Sequence, residues 1–153
     1  MSRIIPYELF ESGEPLEFKT FKDDDEDRTT IEGYDGGKFV GQVIFEHMVA
    51  AYWYFEDDFT EDEYDEMFPD DELLRVEHLK VQPEYMRKGY GDQLMKECVR
   101  MMKETGVKKA YLNASPMGSE GAQLSQLIKI YEKYGFKVLM HQGHNAQMIM
   151  DIK

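Results

Sequence analysis

Residues 82–99, QPEYMRKGYGDQLMKECV, place two glycines, two basic residues and an aromatic in the five positions from Arg87 to Gly91, directly ahead of a run with helical spacing. The N–H groups of a helix's first turn have no intrahelical partner and lie at the positive end of its dipole, so a glycine-bearing turn there suits an anion. Gly89 and Gly91 let the backbone come close to a phosphate, and Arg87 and Lys88 add positive charge. The stretch is not a P-loop, since it has no G-x-x-x-x-G-K-[ST], and it lacks the third glycine of the dinucleotide fingerprint. Many βα connections use a G-x-G merely to turn, so phosphate binding competes with a plain turn.

The elements around this stretch must hold it. LLRVEHLKVQ (73–82) reads as a strand ended by Pro83. Leu94, Met95, Cys98, Val99, Met101 and Met102 recur at helical spacing up to Gly106, which predicts a helix over 92–105. KKAYLNA (108–114) is a strand and SPMGSEG a loop. Leu124, Leu127, Ile128 and Tyr131 mark a second helix stopping at Gly135, and FKVLMH and AQMIMDI form a closing antiparallel pair around QGHN. Upstream, LEFKTF (16–21), TTIEGY (29–34) and FVGQVIFEHM (39–48) read as strands, the last two joined by the turn signal DGGK; AAYWYF (50–55) is a further strand candidate.

Composition bounds the function. A chain of 153 residues is about one domain, and 42% hydrophobic residues with 10 Tyr, 9 Phe and 1 Trp support a packed core despite a net charge of −13. Residues 1–74 hold 23 Asp and Glu against 5 Lys and Arg, a net −18, whereas residues 75–153 hold 8 against 13, a net +5. The acidic half repels nucleic acid, so no direct nucleic-acid binding is expected. Cys98, the single cysteine, is expected to be a buried thiol; with no apolar h-region or membrane-length apolar run, a cytoplasmic protein without membrane contact is expected.

Two motifs together carry a family resemblance. MRKGYG (86–91) opening a helix after a strand, and YEKYGF (131–136) ending a later helix, resemble the GNAT superfamily of acetyl-CoA-dependent N-acyltransferases over roughly residues 73–153. The resemblance implies an α/β (α+β) fold with a mixed, mostly antiparallel twisted sheet, two main helices in the C-terminal half and a strand-rich N-terminal half. It also implies one acetyltransferase-like domain over 1–153: a strand-rich part (1–55), an acidic loop (56–72) and a coenzyme-A-binding core (73–153). Met86 stands where the family usually has Gln or Arg, and Leu124 where many members carry Asn. The first 30 residues show no pair of amphipathic helices, which in many members shape the acceptor pocket.

The same resemblance implies the chemistry. Acetyl-CoA is the cosubstrate, and an amine attacks its thioester directly. Leu79 N–H faces the thioester carbonyl as oxyanion donor and Val81 N–H the pantetheine arm, while Lys80, Met86, Arg87, Lys88, Gly89, Tyr90, Gly91 and Asp92 complete the cofactor segment. A phenol of pKa about 10 can protonate a thiolate leaving from a thiol of pKa about 8.5, and Tyr131 is the candidate acid, although its apolar stripe equally suits a core residue. Alternation along RVEHLKV puts Glu77 on the face of Leu79 and Val81 and His78 on the other, so Glu77 is the candidate base, against a plain ion pair with Arg75 or Lys80. His141 and His144 border the acceptor site; a metal on H-x-x-H lacks a third ligand.

Residues 56–72, EDDFTEDEYDEMFPDDE, hold 11 acidic and no basic residues, and read as an exposed loop or short helix unless Phe59, Tyr64, Met67 and Phe68 anchor them. A negative wall there would concentrate a cationic acceptor: a polyamine, an aminoglycoside, or a lysine or N-terminal amine of a peptide or protein. A solubilising loop explains it equally. The chain could also be a non-catalytic acyl-CoA sensor, or an acidic nucleic-acid mimic that occupies a basic partner, and a homodimer is compatible with the sequence.

Overall fold

A computed structural model describes residues 15–25, 27–86, 88–116 and 123–153, with the backbone alone at His78. The strands are β1 (Glu17–Lys22), β2 (Arg28–Asp35), β3 (Lys38–Val49), β4 (Glu72–Val81), β5 (Lys109–Ala114), β6 (Lys137–Gln142) and β7 (Asn145–Asp151). The helices are α1 (Tyr52–Phe55), α2 (Glu61–Met67), α3 (Tyr90–Thr105) and α4 (Leu124–Lys133). Among the described residues the sheet has seven strands in the order β1-β2-β3-β4-β5-β7-β6. The mixed, mostly antiparallel α/β architecture expected from the sequence is present. The chain forms two compact units, residues 1–45 with 77–101 and residues 46–76 with 102–153.

In the first unit β1 pairs antiparallel with β2, from Glu17 opposite Tyr34 to Lys22 opposite Thr29. DGGK turns β2 into β3, with Gly36 and Gly37 at φ of 57° and 86°; positive φ at both central residues matches the right-handed twist of a hairpin, and glycine adopts it without strain. Helix α3 buries Leu94, Met95 and Cys98 completely. Its only β-branched residues are Val99 and the terminal Thr105, and Asp92 in its first turn and Lys103 in its last complement the helix dipole. Gly106, at φ 81°, stops it.

In the second unit β5 pairs parallel with β4 from Leu74 opposite Ala110 to Val76 opposite Leu112. On its other edge β5 pairs antiparallel with β7 over its whole length, Lys109 opposite Asp151 to Ala114 opposite Ala146. Strand β6 then pairs with β7. The expected strand over 50–55 is instead α1: Ala50, at φ 50°, ends β3 and turns the chain, and aromatics that would alternate faces on a strand gather on a helical turn against one core. That core joins Met48, Phe55, Tyr64, Phe68, Leu73, Tyr111 and Ile149.

Within the acidic segment, residues 61–67 take the short-helix alternative as α2. Thr60 and Glu63 form a reciprocal capping box at the start of α2, a device contributing about 1 kcal/mol. Tyr64 and Phe68 are 2% and 1% exposed, so the four-residue spacing of two aromatics overcomes the repulsion between the charges beside them. The Tyr64 hydroxyl donates to Asp71 Oδ1 at 2.6 Å and accepts from Ala51 N–H at 3.1 Å, while Ala50 N–H donates to Asp71 O at 3.1 Å. Ala50 and Asp71 both hold left-handed backbone, φ 50° and 54°, a strain of about 1 to 2 kcal/mol each. The tyrosine joins the two strained ends of the 50–71 excursion.

Candidate cofactor cradle and acyl-transfer residues

Pro83 stops β4 by lacking an N–H, and residues Pro83–Tyr85 make one tight turn. Gly89 follows at φ 82°, a left-handed conformation that any other residue adopts only with strain, and its carbonyl accepts from Gln93 N–H at 3.1 Å. Helix α3 thus begins one residue later, its first turn adjoining a residue that has no side chain. Gly91 differs: a Cβ there would meet only Val81 Cγ2, at 3.6 Å, an ordinary contact.

The aromatic of RKGYG has a structural use. Tyr90 is 7% exposed, its hydroxyl donates to Asp35 Oδ2 at 3.0 Å, and its ring meets Tyr85 edge-on at 5.9 Å between centroids. It ties the helix start to the β2–β3 turn. Asp92 is 4% exposed, with Lys96 Nζ 3.1 Å from its Oδ2, so its side chain is a dipole partner within the helix. Lys88 is exposed, its Nζ 5.7 Å from the Tyr85 ring, and Met86 is 46% exposed. Arg87 lies outside the described residues.

Strand β4 supplies the other side of the cradle. Gln82 N–H donates to Val40 O on β3 at 2.8 Å. Successive N–H groups of a strand point to opposite edges, so those of Val81 and Leu79 lie on the edge away from β3, as the assigned roles require. Lys80 is exposed and shares a shallow cleft with Phe39, Gln42 and Gln82. Glu77, with its side chain 15% exposed, pairs with Arg28 Nη2 at 3.3 Å. One ion pair of Glu77 thus runs to β2, while Arg75 donates to Glu46 Oε1 at 2.8 Å and lies 5.0 Å over the Tyr54 ring.

In the second unit Tyr131 is half-buried on α4, its ring edge-on to Phe136 at 6.2 Å between centroids. Phe136 is buried, and Gly135, at φ 110°, turns the chain into β6. No described residue of α4 is fully buried, which distinguishes Tyr131 from an ordinary core tyrosine. His141 and His144 are exposed. Among the described residues no group of three or more His, Cys, Asp or Glu could hold a metal ion. Cys98, fully buried, has its thiol pushed up to about 12, first by burial and then by Glu97, so it is no nucleophile at neutral pH. No described helix is long and apolar enough to cross a membrane.

Two features make contacts that the sequence did not show. Asp58 accepts from Gln142 Nε2 at 2.5 Å and from Gln147 Nε2 at 3.1 Å, and Tyr111 hydroxyl donates to Gln147 Oε1 at 2.7 Å. One carboxylate of the acidic segment is therefore a fixed acceptor for the β6–β7 hairpin. Gly41, inside β3, is the other; a glycine in a strand interior signals a close backbone approach.

A left-handed glycine at a helix start, beside a strand that carries two N–H groups on its edge away from β3, beyond the stretch paired with β5, fits a diphosphate with an extended amide-bearing arm, the chemistry of coenzyme A. Residues 31–138 match the family model of the acetyltransferase (GNAT) domain, and the chain belongs to that family. Acetyl-CoA is the cosubstrate of that family's reaction. No curated protein sequence matches significantly. Among solved structures, the PaiA N-acetyltransferase of Thermoplasma acidophilum in complex with coenzyme A has 19% identity and a TM-score of 0.56 over 83% of this chain and 62% of its own. The ribosomal-protein-S18-alanine N-acetyltransferase of Escherichia coli has 17% identity and a TM-score of 0.56 over 84% and 71%. A bacterial toxin has 18% identity and a TM-score of 0.59 over 84% and 69%. The chain thus spans 62% to 71% of the length of these similar proteins.

Proposed function

We propose that this protein transfers the acetyl group of acetyl-CoA to a primary amine, and that the acceptor is cationic: a small polyamine-like molecule or the amine of a peptide or protein. The observation that carries the reading is the left-handed Gly89 at the start of α3, in a chain of the acetyltransferase family. Arg87, Lys88, Gly89 and the first N–H groups of α3 hold the pyrophosphate, and Val81 N–H holds the pantetheine arm. Met86 contributes no polar contact, so backbone and the two cations carry the binding.

Acetyl-CoA supplies an activated acyl carbon when bound. Leu79 N–H donates to the thioester oxygen as negative charge gathers there, a contribution of a few kcal/mol for a preorganised donor. The acceptor nitrogen bonds to that carbon as the carbon–sulfur bond breaks. Glu77 takes the proton the amine sheds and Tyr131 protonates the departing sulfur. The exposed carboxylates of α2 draw a cationic amine toward the protein by their field.

The experiment is a thiol-release assay with acetyl-CoA over polyamines, aminoglycosides, amino acids and lysine-rich peptides, beside melting curves with coenzyme A. Thiol release with at least one cationic amine supports the reading. No release from any amine, with melting still raised by acetyl-CoA, would make the protein an acyl-CoA sensor.

A further inference from the structure

Gly41 stands in β3 with its missing side chain aimed at the neighbouring backbone. A Cβ there would lie 2.3 Å from Lys80 O, 3.0 Å from Val81 Cα and 3.2 Å from Lys80 C. A regular strand residue points its Cβ out of the sheet and never at the next strand, so β3 is turned at this point. The cleft lining agrees. Phe39 and Gln42, three apart, both line the cleft, as a slip of the alternation across Val40 and Gly41 would allow.

The backbone that Gly41 touches is one peptide plane, Lys80 C=O to Val81 N–H. A peptide unit is rigid, and its carbonyl and its N–H point to opposite edges of β4. The carbonyl end packs against Gly41, and Val40 O holds the following N–H, that of Gln82, at 2.8 Å. The opposite end is the Val81 N–H that the proposed function assigns to the pantetheine arm.

We propose that Gly41 is a positioning residue for the cofactor: by admitting the Lys80 carbonyl to its own Cα, it sets the direction in which Val81 N–H is presented. A side chain at 41 must displace that carbonyl by more than 0.5 Å to reach even a tight contact, since real Cβ atoms do not come within 3.0 Å, and the rigid plane carries the tilt to Val81 N–H. The effect is expected at the arm-binding end of the cradle, because the three atoms nearest a Cβ at 41 all belong to Lys80 and Val81.

The inference rests on the coenzyme A reading, and titration calorimetry with two probes separates the two. Coenzyme A carries both pyrophosphate and pantetheine; adenosine 3′-phosphate 5′-diphosphate carries the pyrophosphate alone. Gly41→Ala is expected to weaken coenzyme A at least tenfold and to leave the arm-less nucleotide within twofold of the unaltered protein, whereas Gly89→Ala weakens both. Equal weakening of both probes by Gly41→Ala, or no weakening of coenzyme A, overturns the positioning role while the function stands; failure of the unaltered protein to bind either probe overturns both. If Gly41→Ala does not fold, hydrogen exchange of the unaltered protein decides. Coenzyme A is expected to slow amides 40–42 together with 79–82, and protection of 79–82 alone overturns the proposal.

Discussion

Gly89 and Gly91 stand two residues apart in one motif, and the backbone gives them unequal duties. Gly89→Ala would force a side chain into left-handed backbone and set a methyl group beside the helix start, so coenzyme A binding should fall at least tenfold by calorimetry. Gly91→Ala should keep affinity within about threefold and raise Tm, since alanine is favoured over glycine in a helix by roughly 1 kcal/mol and its methyl meets only Val81 at 3.6 Å. Glu77 separates in the same manner. If it is the base, Glu77→Gln lowers kcat by about 10² to 10⁴ and changes the pH profile, while Arg28→Ala leaves the profile's shape intact; if it only braces β2 through Arg28, the two substitutions act alike. Glycine spacing made the turn at the helix start legible in the sequence, and Gly89 there has a φ of 82°. Tyr90 did not show its role as a clamp, because its partner Asp35 lies 55 residues away and no local pattern joins them. Gly41 did carry a signal, a glycine inside a strand, which was eclipsed by the stronger hairpin pattern around it.

At the scale of elements, α3, β5, α4 and the closing hairpin were legible because periodic apolar residues and the stops at Gly106 and Gly135 agree. Helix α1 was not, because its aromatics favour a strand locally, and α2 was legible only as the short-helix alternative to a loop; the shared aromatic core, assembled from residues up to 101 positions apart such as Met48 and Ile149, decides both. Tyr64→Phe tests that clamp: it leaves Ala51 N–H and Asp71 without their phenolic partner, and the melting curve should register about 1 to 3 kcal/mol of lost stability. Helix α3 makes a pH prediction through Cys98, whose folded thiol is pushed up to about 12 from an ordinary 9.0. Below pH 9 the thiol is neutral in both states and stability is unaffected. Above 9 only the unfolded thiol ionises, so the unfolded state binds fewer protons and stability declines toward pH 12, by up to about 1.4 kcal/mol per unit. Urea unfolding between pH 8 and 10 should show a decline that Cys98→Ala lessens; identical slopes would contradict the burial argument.

Across the whole molecule, a net −18 over residues 1–74 beside +5 over the remainder is the arrangement expected of a protein that attracts a cation with one half and holds a polyanionic cofactor with the other. Asp58 must be left intact in any test, because Gln142 and Gln147 hold it. Neutralising Asp57, Asp65 and Glu66, all exposed, should raise KM for a cationic acceptor severalfold and flatten its dependence on ionic strength with little change in Tm. Unchanged kinetics would reduce the acidic face to a solubilising one. The cofactor claim stands beneath all of this and has its most direct measurement in the melting temperature with acetyl-CoA and with coenzyme A. At a hundredfold excess over Kd a ligand bound only by the folded state adds about 2.7 kcal/mol, which for a chain of this size raises Tm by roughly 5 to 10 °C. A rise of that order with both ligands, diminished by Gly89→Ala, is the predicted result; no rise with either at millimolar concentration would contradict the account.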